Sequence, residues 1–374
     1  MNYDISEEQT MIKDAANRFL SKECPSGFVR AMVDDPRGYT PELWHGMAEL
    51  GWMGLLVPET YGGFGGNFLD LTVLLDEMGY FAVPGPFFST VVLAGLMILE
   101  AATETQKADI LPGLVTGERI MTLAWTEIEG VFTPEGIRLS ATPENDGYVL
   151  SGTKLFVPDA NVAHTLICAA RTGEGDEDIS LFLVNTPSDG LSINPLITMA
   201  GDKQCEVIFE GVKIPRSTLL GELDRGWPVV KKTQLMASVA KCAEMTGGGR
   251  MVMDLVIPWT KERIQFGRAI GSFQAVQHHC VNILTCLDTL TYMTYEAAWL
   301  VSASKPFEIE ASLCKAWVSD AYRRLVALAH QVLGGLGFME EHDLGLYFKR
   351  AKAAELFFGD ADFHRELVAR EMDL

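Results

Sequence analysis

Residues 147–171 read GYVLSGTKLFVPDANVAHTLICAAR, and their period sets the architecture. Two short runs, GYVLSGTKLFV and HTLICAAR, are rich in β-branched and aromatic residues, and a bend around Pro158-Asp159 separates them. That composition, broken by turn-forming residues, reads as two strands. The runs DISLFLVN, LSINPL and EVIFEGVKI repeat the pattern with no helical stretch between them. Residues 119–222 are therefore expected to form an antiparallel sheet or small barrel.

Working outward, both flanks switch to helical spacing. In residues 1–118, Ser6 opens an amphipathic segment with acidic residues in its first turn. Thr40 caps a second helix with Pro41 at its first position. NFLDLTVLLDEMGY and TETQKADILPGLVTG follow, with the glycine-dense PETYGGFGGN as a connection. FFSTVVLAGLMILEAA is the most apolar run; it falls short of the roughly 18 residues of a membrane span and reads as a core helix. Beyond Gly226 and Pro228, four long or moderate helices with short loops imply an antiparallel bundle. The expected fold is α+β in three parts: an N-terminal helical domain (1–118), a β domain (119–222) and a C-terminal four-helix bundle (223–374).

A chain of 374 residues with 48% apolar and 21% charged residues is globular, and its formal net charge of −20 argues against nucleic acid and anionic membranes as partners. The seven cysteines are odd in number, scattered and mostly in apolar sequence, so reduced core thiols and a cytoplasm-like compartment are expected. No Cys/His spacing suits a metal, and the N-terminus lacks the basic start and apolar core of a signal peptide.

Three segments carry chemistry. ERIQFGRAIGSFQAVQ (262–277) places Arg263 and Arg268 around a Phe266-Gly267 corner, with Gln274 and Gln277 after it. Two arginines at a helix junction suit a phosphate or pyrophosphate, or form a solvated corner. HQVLGGLGF (330–338) ends a helix at a glycine pair, which either caps it or lets a flat ligand approach. KCAEMTGGG (241–249) sets Glu244 on a helix face whose neighbours within about 40° are Thr233, Ala237, Ala240, Gly248, Met251 and Leu255. That carboxylate either pairs with Lys241 or Arg250 or sits on the surface, or else it faces a space that a ligand fills. Neither a dinucleotide GxGxxG after a strand nor a GxSxG elbow is present.

Together PETYGGFGG, SGTKLFVPDANVAHTLICAAR, FEGVKIPRSTLLGELDRGW, RIQFGRAIGSFQAVQ, QVLGGLGF and HDLGLYFKRAKAAELFFGDADFHR resemble the acyl-CoA dehydrogenase family over nearly the whole chain. The resemblance implies an α–β–bundle fold, FAD, an acyl-CoA substrate, an electron-transfer flavoprotein as acceptor, and a homo- or hetero-oligomer (dimer or tetramer), as in β-oxidation. It implies that Arg263, Gln265, Phe266 and Gln274 meet the pyrophosphate and adenosine end, with Gln331, Gly334 and Gly335 joining across a dimer. Leu123, Trp125 and Thr126 of LAWTE, and Phe156, Val157 and Pro158, match the flavin-side segments; Asp360, Asp362 and His364 match positions near the flavin edge or in polar contacts.

The chain departs from the family pattern at three places. IEGVFTPEG follows the TE pair where the family has Gly-Ser-Asp. Pro158 replaces a Ser or Thr, removing a hydroxyl and a backbone N–H. Phe358 stands where many relatives place the catalytic glutamate. Other branches carry that base near Ala237, and Glu244 lies two turns on, about 10.5 Å along the same face. CAEMTG and FGDADFH resemble a branch, including subunits acting on dicarboxyl- or ring-derived CoA esters, that reads Ala-Glu at this point; the resemblance implies Glu244 as the base and a cyclic, dicarboxylic or otherwise unusual acyl chain. Two further readings stay open: a non-catalytic or half-site subunit of a heteromer, and a flavoenzyme that uses oxygen or reduces its substrate.

Overall fold

The computed structural model describes residues 5–374. In chain order it contains α1 (Glu7–Glu23), α2 (Ser26–Asp34), α3 (Pro41–Glu49), α4 (Phe68–Tyr80), α5 (Leu96–Ala101) and α6 (Glu104–Val115). Eight strands follow: β1 (Met121–Ala124), β2 (Ser140–Glu144), β3 (Gly147–Pro158), β4 (Thr165–Arg171), β5 (Ile179–Asn185), β6 (Leu191–Leu196), β7 (Gln204–Pro215) and β8 (Leu219–Leu220). Then come α7 (Gly226–Glu262), the short strands β9 (Ile264–Gln265) and β10 (Arg268–Ala269), α8 (Gln274–Ser302), α9 (Glu308–Leu333), α10 (Leu344–Leu356) and α11 (Ala361–Glu371). The expected caps form: Ser6 and Gln9 make a reciprocal capping box, and Thr40 Oγ1 accepts from the Leu43 amide.

Contacts divide the chain into two compact units that cut across the expected linear boundaries. One comprises residues 31–66 and 84–234 and holds the sheet. Its strand order is β6-β7-β3-β2-β4-β5-β8, with β1 beside β4. The sheet is not wholly antiparallel as expected: β1 runs parallel to β4, with Leu123 opposite Ile167, and Ser140 of β2 meets Arg171 of β4 in parallel. All four residues of β1 are buried, so it shows no alternation and four residues cannot announce a strand. The apolar run read as one core helix is π-helical over Phe88–Gly95 before α5 begins.

The other unit gathers residues 1–30, 67–83 and 235–374, so α1 and α4 join the bundle. The reason lies in small residues. A methyl group added at Gly79 of α4 would lie 2.0 Å from the carbonyl oxygen of Glu244, and one at Gly247 of α7 would lie 1.7 Å from the carbonyl oxygen of Asp76. The two helices thus cross backbone to backbone, which only glycine allows. Gly248 similarly admits the Tyr322 hydroxyl of α9, 2.2 Å from where a methyl would stand. These glycines therefore close helix crossings; they do not leave the slot for a ligand that the stretch around Glu244 suggested. One turn further, Arg250 forks between Asp76 (2.8 Å) and Glu77 (2.7 Å), both buried, while Asn17 of α1 donates to Glu77 and Tyr295 of α8 to Asp76. This charged network ties α1, α4, α7 and α8 together.

Candidate functional site

In the sheet unit, β1 runs into Trp125 and Thr126 beside β3. Leu123 and Trp125 are buried, and Trp125 packs on Phe132 with ring centroids 5.4 Å apart. The Leu155 amide donates to the Thr126 carbonyl at 2.9 Å. Between Lys154 and Val157 the β3–β7 register slips, and Phe156 takes a φ of +54°. A bulge at this point re-aims one side chain, and Phe156 ends 52% exposed while its neighbour Val157 is buried. Pro158 lies opposite Gln204 at the end of the pairing.

Beneath this corner lies a pair that the motifs did not single out. Lys154 is wholly buried and donates to Glu127 Oε1 at 2.6 Å and to the Trp125 carbonyl at 3.2 Å. Glu127 also accepts from the Arg138 and Leu139 amides, each at 2.9 Å. Burial pushes the Lys154 ammonium down from its ordinary range and the Glu127 carboxylate opposes that shift. The pair clamps the Trp125–Glu127 turn onto β3. The signal was present as "TE" after the tryptophan and a lysine two residues before Phe156, but a strand lysine reads as exposed unless its partner is known.

In the bundle unit, β9 and β10 form a small hairpin whose two corner residues, Phe266 and Gly267, both have positive φ (+53° and +78°). Phe266 is 93% exposed. The Arg263 guanidinium lies over Trp259 and that of Arg268 over Phe273, with centroid distances of 5.5 and 4.1 Å. Neither arginine forms an ion pair among the described residues. Gln265 and Gln274 are exposed, as are Gln331, Gly334 and Gly335. Gly334 has a φ of +61°, and a methyl added at Gly334 or Gly335 would meet no atom within 4 Å. The hairpin and the glycine corner share no hydrogen bond or ion pair among the described residues.

Glu244 lies on the middle of α7, its side chain 25% exposed, in direct contact with Lys241, which is 13% exposed. The ion pair foreseen as one alternative therefore exists. The Lys241 ammonium also sits 5.3 Å from the centre of the Phe357 ring. Phe358, next in sequence, is buried at a φ of +64°, and Gly359 follows at +105°. This turn is held from below. Lys315 of α9, wholly buried, donates to Ser319 Oγ (3.0 Å), the Glu355 carbonyl (3.0 Å) and the Gly359 carbonyl (3.1 Å). Burial pushes its ammonium down to about 8. His364, also buried, meets the Phe358 carbonyl with Nε2 at 3.2 Å, and burial beside Lys315 pushes it down to about 3, so it is neutral near pH 7. Asp360 caps α11, accepting from the Phe363 amide at 2.9 Å, while Asp362 is 89% exposed and pairs with Arg365. A part for these two acids in cofactor binding rests on the resemblance alone.

The donors available fit FAD. Two guanidiniums without carboxylate partners among the described residues suit a pyrophosphate, and open glycines with outward-turned aromatics suit flat rings. No group of His, Cys, Asp and Glu able to hold a metal occurs among the described residues, and no described helix is long and apolar enough to cross a membrane. All seven cysteines are free, six of them buried.

Three family models, described as the N-terminal, middle and C-terminal domains of acyl-CoA dehydrogenase, match residues 6–118, 122–212 and 224–372. The chain is 30% identical to the "Probable acyl-CoA dehydrogenase YngJ" of Bacillus subtilis over the full length of both. It is 27% identical to the "Caffeyl-CoA reductase-Etf complex subunit CarC" of Acetobacterium woodii, covering 98% of each. The solved acyl-CoA dehydrogenase of Geobacillus kaustophilus superposes with a TM-score of 0.94 at 25% identity, covering all of both chains. From the N-terminal helices through the sheet to the last helix, this chain belongs to the acyl-CoA dehydrogenase family of FAD-dependent oxidoreductases.

Proposed function

We propose that this protein dehydrogenates an acyl-CoA thioester between its α and β carbons, with Glu244 as the base that removes the α-proton. The state of the acids considered as bases supports the assignment. Asp360 serves a helix cap, Asp362 lies in a surface ion pair, and Phe358 occupies the place of the glutamate in many relatives. Glu244 remains, a partly buried carboxylate on α7.

FAD, when bound, supplies the acceptor for the β-hydrogen, which leaves as hydride. The chain's own part is to bind the thioester, exclude water and take the proton at a carboxylate oxygen of Glu244. The α-proton of a thioester is only modestly acidic, so its removal needs a positioned base and donors on the carbonyl. A carboxylate that loses the rest of its water to an incoming acyl chain becomes a stronger base. Arg263, Gln265, Phe266 and Gln274 would hold the pyrophosphate and adenosine end, with Gln331, Gly334 and Gly335 completing it from a neighbouring subunit. Leu123, Trp125, Thr126 and Phe156–Pro158 would flank the ring. An electron-transfer flavoprotein as acceptor is supported by the relative named as a subunit of an Etf complex. The exposed Phe266, Val281, Leu313 and Trp317 support assembly into a dimer or tetramer. The free thiols suit a cytoplasmic setting.

A second reading, a half-site subunit in a heteromer, is favoured by Pro158, which lacks the hydrogen-bonding groups relatives use there. Purified protein separates the readings. A yellow homomer whose flavin bleaches anaerobically with one of a panel of straight, branched, cyclic and dicarboxylic acyl-CoA esters supports the enzyme. Colourless protein that takes up FAD only with a second chain supports the subunit. In the enzyme, Glu244→Gln is expected to slow bleaching by about 10²- to 10⁴-fold with FAD content unchanged; bleaching at the wild-type rate would remove the base assignment.

A further inference from the structure

The contact between Glu244 and Lys241 does more than neutralise a buried charge. We propose that Lys241 is a positioning residue for Glu244, an ammonium braced against Phe357 that fixes the carboxylate's orientation. The inference rests on the reading of Glu244 as the base.

Three observations support it. Both side chains are largely withdrawn from water, so the pair is not the flexible surface contact whose effect salt and solvent erase. The ammonium has a second fixed neighbour, the Phe357 ring at 5.3 Å, an arrangement in which an ammonium is attracted to a ring face. The ring in turn belongs to a turn that cannot drift. Phe358 and Gly359 hold left-handed backbone conformations, and the turn's carbonyls are tied to Lys315 and His364. A chain of contacts therefore runs from the buried Lys315, through the turn, to Phe357, Lys241 and Glu244. Where many relatives place a glutamate in this turn, the present chain uses the turn to brace the lysine beside its carboxylate.

The other titratable groups packed around Glu244 do not take over this part. Tyr322 of α9 faces it, and burial, with the charge of Glu244 adding to the effect, pushes that phenol far up so that it stays neutral. Tyr347 of α10 donates to the Tyr80 carbonyl at 2.5 Å, and Arg350 of α10 to that of Val83 at 3.3 Å. On the α4 side, Asp76 and Glu77 are occupied with Arg250. On the turn side, Lys315 and His364 bond to carbonyls, and Asp360 caps α11. Lys241 is the cation in contact with the Glu244 carboxylate.

The test compares K241M and K241R with wild type and E244Q, all as FAD-loaded protein. The readout is anaerobic flavin bleaching by the most effective ester of the panel, resolved into a limiting rate and a half-saturating ester concentration. K241M is expected to lower the limiting rate by about tenfold or more, with FAD content and half-saturation unchanged within a few-fold, and K241R to restore the rate to within a few-fold of wild type. K241Q replaces K241M if the latter is insoluble. A limiting rate in K241M equal to that of wild type, or a loss that appears in half-saturation or FAD content instead, would overturn the proposal. Failure of the base assignment looks different, because E244Q would then bleach like wild type whatever the Lys241 variants do.

Discussion

At the scale of single residues, the chain buries charges in different ways. Lys154 has a carboxylate, whereas Lys315 has only hydroxyl and carbonyl oxygens. The consequence for Lys315 has a definite sign. Its ammonium is lowered from 10.5 to about 8 in the fold, so between those pH values the unfolded chain binds more protons than the native one. Stability therefore rises with pH across that window, and near pH 7 the buried charge opposes folding by about 3 kcal/mol against its three hydrogen bonds. Lys315→Met removes this contribution, so the urea midpoint of wild type is expected to gain on that of the variant from about pH 8 to 10.5, groups common to both cancelling in the difference. A gap between the two midpoints that stays constant with pH would mean that Lys315 does not carry the titration.

Secondary-structure elements meet here through absent side chains. Gly79 and Gly247 let α4 and α7 touch along their backbones, which explains why a segment from the first third of the sequence belongs to the bundle unit. Gly247→Ala would drive a methyl into the Asp76 carbonyl with no flexible side chain to yield. A loss of about 3 kcal/mol or more is expected, visible as a lower thermal midpoint or as insoluble protein. Gly345→Ala on α10, where a methyl meets nothing, is the control and is expected to be neutral or slightly stabilising. Equal behaviour of the two variants would contradict the close crossing. Such glycines were visible in KCAEMTGGG, yet their purpose was not. A small residue on a helix face signals that something approaches closely, without saying whether it is a ligand or another helix.

For the molecule as a whole, several of the features assigned to FAD are exposed in the single chain: Phe266, Phe156 and the glycine corner at 334–335. A cofactor that binds the native state alone stabilises it by mass action, by about 2.7 kcal/mol at a hundredfold excess over its dissociation constant. Stripping FAD is expected to lower the melting temperature, and adding it back to restore it; an unchanged midpoint would mean that the described residues do not hold the cofactor. The overall plan was legible in advance because period and composition switch sharply near residues 119 and 223. The parallel β1 escaped notice because a strand of four residues buried on both faces carries no alternation. The Glu127–Lys154 clamp escaped because its members lie 27 residues apart and meet only through the register of the sheet.

By itself, the sequence determined the α–β–α order, the helix caps, the tight Phe266-Gly267 corner between two arginines and the family, because each is written in local spacing or in motifs continuous along the chain. Tertiary structure decided what surrounds Glu244 beyond the lysine its own helix supplies: a phenylalanine more than a hundred residues away, and glycines taken up by neighbouring helices. Those neighbours come from α4, α9 and the turn after α10, and no local pattern records which distant backbones a helix face will meet.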